Sequence, residues 1–460
     1  MASYEQKLSR ELSLRQNIFI TLSSVTPASS VFIILPSILL GLGGASVAAM
    51  ALAGVGALFV GMCYAELSSR YPIAGGEYTW TGRILSKPLG FAVMLLTLLS
   101  GILIVAVIAL GTGEYLGVAI SSLSGKWVGL VVIALTTIIA ALRIKTNAWV
   151  TGLFLVIEVL SVAILTFLGV IHVSQPVSVF WTPQTAAAGG TVSAVGWGAV
   201  ISALSVALFA YNGYGQAVYY AEETKGASSK IGKAIMISLL VTVLVEILPL
   251  MAVVIGSPSI PKLINDPAPM SYFLLQRGGS SINIIVSLGI AIAILNAVIA
   301  IIIQQARLLY ASARDGSWPD AIGKPLQQIS SKYQTPVVAT IVVGVVAILA
   351  GQFVSFNFLL LATGASLIVI YAIVAIASII DGKNRAAQRG GYKMPLWPLP
   401  PVVVIAATIY IAYQGILADT RPIVISLATM VIGVAYYYLY IHPRKDSRWT
   451  LPEALHDHSD

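Results

Sequence analysis

Apolar stretches of about 18 residues or more recur along this chain, separated by short connections that hold most of its charge. At about 1.5 Å of rise per helical residue, each is long enough to cross a hydrocarbon core of roughly 30 Å. Composition agrees: 58% of residues are hydrophobic, 10% are charged and the mean hydropathy is +0.91, whereas a soluble domain carries roughly 25% charged residues. A water-soluble fold could not cover itself with so few charges. The chain therefore reads as an all-α polytopic membrane protein whose solvent is the bilayer. Met1 to Arg15 is polar, and the apolar segment after it is a full span without a small-residue cleavage site, so no cleavable signal peptide is expected.

The runs and their breaks predict twelve transmembrane helices, at about 16–38, 43–67, 89–121, 127–142, 149–172, 195–221, 232–256, 283–312, 336–353, 357–379, 398–417 and 422–441. Twelve spans put both termini on one side. With the N-terminus cytoplasmic, only Lys126, Lys262, Arg277 and Arg421 of the 26 basic residues fall outside. That bias fits the positive-inside rule and would collapse if one span were miscounted. Both termini are thus expected in the cytoplasm of a cell whose plasma membrane the chain crosses. The segment from His172 to Ser193 has no Lys, Arg, Asp or Glu and reads as an outward-facing stretch packed over the bundle. Tyr71 to Leu85, with Gly75, Gly76, Tyr78 and Trp80, reads as a short interfacial helix. The polar tail 442–460 predicts partial disorder.

Cys63 is the only cysteine, which excludes an intramolecular disulfide and a cysteine-based metal site. The net charge of +8 forms no basic stripe, so nucleic acid is not an expected partner. His172 and His442 near the two faces, with His456 and His458 in the tail, offer no convergent metal site. Trp80, Trp127, Trp181 and Trp397 sit where interfacial anchors belong. No nucleophile-and-base pair or phosphate cradle is visible, so neither enzyme activity nor a cofactor is expected.

The first span holds the polar run Ser23, Ser24, Val25, Thr26, Pro27, Ala28, Ser29, Ser30 at a depth where lipid demands continuous helix. Pro27 cannot donate a hydrogen bond and obstructs the carbonyl four residues earlier. Taken alone, this is either a kink patched by hydroxyls or a ligand site. The sixth span is interrupted as well, at Phe209, Ala210, Tyr211, Asn212, Gly213, Tyr214 and Gly215. Two broken spans five apart point to an inverted repeat with the site between its halves, here about 16–172 and 195–379, followed by helices at 398–441. Helix N-termini opened by such breaks offer N–H groups to an anion, and the opposing carbonyls can receive a cation. An amino acid zwitterion suits both.

These motifs resemble those of the amino acid, polyamine and organocation (APC) superfamily of permeases, over essentially the whole chain. Ala28-Ser29-Ser30-Val31-Phe32 is similar to the family's Gly-Ser-Gly-Ile-Phe element, with both glycines replaced. Phe209-Ala210-Tyr211-Asn212-Gly213-Tyr214 followed by Ala221-Glu222-Glu223-Thr224-Lys225 resembles its sixth-span pattern. Ala306-Arg307-Leu308-Leu309-Tyr310 with Ala313-Arg314-Asp315-Gly316 resembles its eighth-span ending. Glu66, Arg70-Tyr71-Pro72 and Gly75-Gly76-Glu77-Tyr78 complete the set. The resemblance implies a LeuT-type 5+5 inverted repeat with broken helices 1 and 6, working by alternating access. It places a substrate carboxylate on amides near Ala28, Ser29 and Ser30. The amine falls near Thr26 and the carbonyls of Phe209, Ala210 and Asn212, with the Phe209 ring as outer lid. Tyr211, Gly213 and Tyr214 complete the implied substrate site. Side chains at Ala28 and Ser30 narrow the approach of backbone to ligand.

Three carboxylates lie within the predicted spans, where an uncompensated charge costs about 2.5–3.5 kcal/mol on insertion scales. Glu114, near the outer end of its span, reads as a vestibule or surface group. Glu246 fits a structural hydrogen bond at least as well as a role in transport. Glu158 falls mid-span, and Val150 to Glu158 resembles the fifth-span stretch where many proton-coupled relatives carry a lysine in place of a sodium ion. There, out of water, Glu158 suits proton coupling, against the alternative of a structural bond to the first-span backbone. Gly289 to Leu295 offers no hydroxyl for sodium, although Asn296 follows. The reading is a secondary carrier of amino acids, with the proton as coupling partner. Its alternatives are a carrier of polyamines or cationic amines, an exchanger, or a membrane sensor that does not transport.

Overall fold

The computed structural model describes residues 12–73, 75–142, 148–187, 190–333, 335–382 and 391–444. Lys7, Arg10, Arg143, Lys145, Lys383, Arg385, Arg389, Lys445, Arg448, His456 and His458 lie outside the described residues, as does the tail beyond Arg444.

Helix α1 (Leu14–Val25) starts on a capping box, in which the Gln16 amide donates to Ser13 Oγ at 3.3 Å and the Ser13 amide donates to Gln16 Oε1 at 2.9 Å. It stops at Thr26, a β-branched residue held at φ 51°, ψ 66° in the left-handed region. Pro27 then opens α2 (Pro27–Ser29), which passes through a π-helical turn (Ser30–Ile34) into α3 (Leu35–Leu42). At the first position of a helix a proline loses no hydrogen bond, so the residue that obstructs α1 suits the start of α2. There follow α4 (Ser46–Arg70), α5 (Glu77–Ile84), α6 (Lys87–Leu110), α7 (Thr112–Ala119), α8 (Lys126–Ala141) and α9 (Ala148–Ile171).

The next segment departs from an all-helical expectation. Strands β1 (Gln184–Ala187) and β2 (Thr191–Ala194) pair antiparallel, with Gln184 opposite Ala194. The hairpin lies over the end of α3, where Thr185 Oγ1 donates to the Leu40 carbonyl at 3.0 Å. Beyond it come α10 (Trp197–Ala210), a turn at 211–213, a 3₁₀ run (Tyr214–Glu223), α11 (Ala227–Gly256), α12 (Ile260–Asn265) and α13 (Pro269–Arg314), which bends at Gly279. The chain continues through α14 (Asp320–Leu326), α15 (Val337–Phe353), α16 (Phe356–Ile380), α17 (Leu399–Ala418) and α18 (Arg421–Tyr436).

Among the described residues nine helical runs are long and apolar enough to cross a membrane, the first of them holding α1 to α4; α8 and α15 are shorter apolar helices. The protein is an α-helical, multi-pass membrane protein. The most apolar window of the first run is 83% buried and that of α17 only 22%, which puts α1 to α4 at the centre and α17 at the rim. Ile409 and Leu417 there, and Val431 on α18, face outward, as lipid-facing side chains do.

One expectation is corrected. Trp80 is fully buried, its ring edge-on to Tyr64 at 5.5 Å and its Nε1 donating to the Tyr71 carbonyl at 3.2 Å. It is no interfacial anchor, because α5 folds back against α6 and α16 and buries Tyr78 to Gly82. Trp127 and Trp181 are exposed, as anchors are.

Candidate functional site

The breaks at Thr26 and at 211–213 meet. Gly213 has φ 122°, and a Cβ on it would lie 2.9 Å from the Cα of Val25, so only glycine lets the two interruptions touch. Ser30 Oγ donates to the Ala210 carbonyl at 2.9 Å. Lower down, Asn17 Nδ2 donates to the Ala217 carbonyl at 3.2 Å and to Thr224 Oγ1 at 3.0 Å, joining α1 to the 3₁₀ run.

A helix start leaves its first amides without partners inside the helix. In α2 these belong to Ala28 and Ser29, since Pro27 has none, while the Ser30 amide is committed to the Thr26 carbonyl at 3.3 Å. Ser29 Oγ is buried and has no hydrogen-bond partner among the described residues. Opposite stands the C-terminal end of α10, with Phe209 and Ala210 buried. Asn212 Nδ2 donates to the Tyr371 hydroxyl at 3.4 Å, and Tyr214 is buried with its ring edge-on to Tyr64 at 6.0 Å. The Tyr211 hydroxyl turns away to donate to the Met50 carbonyl of α4 at 3.1 Å. The geometry thus gathers Thr26, Ala28, Ser29, Ser30, Phe209, Ala210, Asn212, Gly213 and Tyr214, and makes Tyr211 an anchor on α4. Donor amides of one helix start face the carbonyl end of another, an arrangement that can hold a negative and a positive group side by side.

The intramembrane carboxylates part company. Glu158 is 1% exposed on α9, which packs against α2, and neither of its oxygens has a hydrogen-bond partner among the described residues. The bond to first-span backbone weighed from sequence is absent. Glu246 on α11 is fully buried, with the Ser30 hydroxyl and Tyr211 close to it, although among the described residues neither oxygen makes a well-formed hydrogen bond. Glu114 is exposed on the first turn of α7, and Asn296 is half-buried on α13. Among the described residues no three His, Cys, Asp or Glu side chains converge to hold a metal.

Two arrangements escaped the sequence reading. Arg70 pairs with Glu66 at 3.3 Å and with Asp381, which also accepts from the Tyr71 hydroxyl at 2.9 Å, tying the end of α4 to the end of α16. Glu77 Oε1 accepts from Tyr64 at 3.0 Å and its Oε2 from Tyr219 at 2.9 Å. Burial pushes this carboxyl, which α5 carries between the spanning runs, above its ordinary range, and the two phenols partly offset that. The adjacent amides Gln304 and Gln305 inside an apolar run were the available signal for a polar cavity in this region.

A family model described as amino acid permease matches residues 12–441. The branched-chain amino acid permease BcaP of Bacillus subtilis (strain 168) is 23% identical, over 97% of this chain and 96% of the relative. The b(0,+)-type amino acid transporter 1 of Mus musculus is 24% identical over 95% and 88%. The low-affinity putrescine importer PlaP of Escherichia coli (strain K12) is 26% identical over 66% of each chain.

Proposed function

The chain belongs to the amino acid permease family, and from that premise we propose that it is a secondary transporter carrying a small amino acid or amine across the plasma membrane by alternating access, coupled to protons through Glu158. The observation that carries this reading is the contact of the two helix breaks through Gly213 and Val25. Their polar ends would otherwise be an uncompensated cost at membrane depth. We take the twelve spans as a LeuT-type 5+5 repeat with two added helices and both termini cytoplasmic, and the site as lying between the repeats.

In this reading the Ala28 and Ser29 amides and the Ser29 hydroxyl take the substrate carboxylate, helped by the positive end of α2. The carbonyls of Phe209, Ala210 and Asn212 take the amine with Thr26, and the Phe209 ring closes above. Glu158 is neutral while α2 packs against α9, because an ionised, unpaired carboxylate there costs several kcal/mol. When α2 tilts and water enters, the proton leaves. Relatives that carry branched-chain amino acids or putrescine by name support the substrate class.

Uptake into proteoliposomes tests the reading. An inward proton gradient is expected to drive accumulation of an amino acid or amine in the wild type, whereas Glu158→Gln exchanges substrate but does not accumulate it. Equal responses to the gradient in both proteins would remove Glu158 from coupling.

A further inference from the structure

Two buried carboxyls stand near the helix breaks, and the transport cycle above uses only Glu158. The other, Glu246 on α11, is 0% exposed. The hydroxyls around it spend their protons elsewhere. Ser30 Oγ donates to the Ala210 carbonyl at 2.9 Å and Tyr211 to the Met50 carbonyl at 3.1 Å. Thr242, one turn back on α11, donates to the Ser238 carbonyl at 2.8 Å. A hydroxyl has one proton and two lone pairs, so what these groups still offer to Glu246 is an acceptor. The described cations on the helices packed against α11 are remote. Arg70 pairs with Glu66 at the other end of α4, with Glu66 about 24 Å along that helix from Met50. Arg15 is exposed on the first turn of α1, and Lys230 and Lys233 belong to the first two turns of α11 itself. Glu158 on α9 brings no positive charge.

With no cation beside it, the Glu246 carboxyl keeps its proton, because a buried carboxylate without a partner is strongly disfavoured at membrane depth. As an acid it donates to a lone pair of Ser30 Oγ, while Ser30 keeps its own proton on the Ala210 carbonyl. That carbonyl is one of those taken above for the substrate amine, so a lone pair of it is occupied in this state. An ammonium arriving there supplies the missing positive charge. The carboxyl O–H bond then breaks, its proton leaves to water along the substrate's path, and the Ser30 hydroxyl turns to the carboxylate. Its new bond is charge-assisted and roughly twice as strong as the one it leaves. The Ala210 carbonyl is freed for the ammonium. Ser30 makes the link possible: the family element that this stretch resembles has glycine here, which has no hydroxyl to turn between the two.

We propose that Glu246 is a second proton-binding site, linked through the Ser30 hydroxyl to the Ala210 carbonyl, at which the substrate's ammonium displaces a proton. The proposal rests on the transport reading above and adds a proton release at the binding step, separate from the proton carried on Glu158. Because binding releases a proton, affinity rises with pH wherever the free protein holds that proton, by up to about tenfold per pH unit.

Calorimetric titration of the full-length protein in detergent with leucine and with putrescine, in two buffers of different ionisation enthalpy, counts the protons released. Wild type is expected to release up to one proton per ligand bound and to bind more tightly as pH rises. Glu246→Gln, whose amide still offers Ser30 a hydrogen bond, should release none and bind with a flat pH profile. A merely structural carboxyl would leave both readouts unmoved in that variant. Glu158→Gln should keep the release. Ser30→Gly, which removes the hydroxyl between carboxyl and carbonyl, should flatten the pH profile, and it decides the matter if Glu246→Gln does not fold. Binding without proton release by the wild type, or a release unchanged in the folded Glu246 or Ser30 variant, overturns the second site and leaves the transporter standing. Proton-releasing binding with no accumulation of either ligand in proteoliposomes sinks the transport reading and leaves the site.

Discussion

Thr26 shows how much one residue can hold. A β-branched side chain in the left-handed region costs roughly 1–2 kcal/mol, and Thr26 keeps that conformation because the chain on both sides is fixed. Thr26→Gly relieves the strain and gives back about 0.5–1 kcal/mol in backbone entropy, so its thermal midpoint in detergent is expected at or slightly above that of wild type. Thr26→Ala keeps the Cβ and the strain and should melt lower than Thr26→Gly. The reverse order would mean that contacts of the threonine side chain outweigh the backbone term. The position was legible in sequence as part of the polar run from Ser23 to Ser30. That the break falls at Thr26, with Pro27 as the start of a new helix, was not, because a proline is equally at home in a kink and at a helix's first position.

At the scale of elements, the ties between α4 and α16 and between α1 and the 3₁₀ run matter most. Arg70 sits between Glu66 and Asp381, with side chains 9%, 1% and 1% exposed. Removing one partner of a buried pair strands the other, at a cost of about 3–5 kcal/mol. Arg70→Met takes the cation away from two carboxylates at once, while Asp381→Asn leaves Arg70 its bond to Glu66. The arginine substitution is therefore expected to lower the thermal midpoint more, and equal losses would show that Glu66 contributes nothing. The motif Arg70-Tyr71-Pro72 was read in sequence as a family mark only. Its partner lies 311 residues away, and pairing at that range follows from helix packing. Helix α5 teaches the same lesson: a short helix within Tyr71 to Leu85 was legible, but its extent, Glu77–Ile84, and its burial depend on the faces of α6 and α16 that receive it.

For the whole molecule, the charge bias among loops sets a topology that can be measured. Cys63 is buried and is the only cysteine, so Cys63→Ser provides a clean background. In that background Ser124→Cys, exposed before α8, is expected to react with an impermeant maleimide added to intact cells, while Ser331→Cys, exposed between α14 and α15, reacts only after permeabilisation. Labelling of both from one side would break the twelve-span count. Sequence alone determined the solvent, the helical class, the recurrence of long apolar runs and the two places where helix gives out. Each of these is set by local hydropathy or by a local conflict such as Pro27 within an apolar run. The tertiary structure decided which polar groups meet: Gly213 against Val25, Glu77 between Tyr64 and Tyr219, Glu246 beside Ser30, and Glu158 with no hydrogen-bond partner among the described residues. A carboxylate's worth inside a membrane depends on what stands opposite it, and the strand of sequence around it does not contain that neighbour.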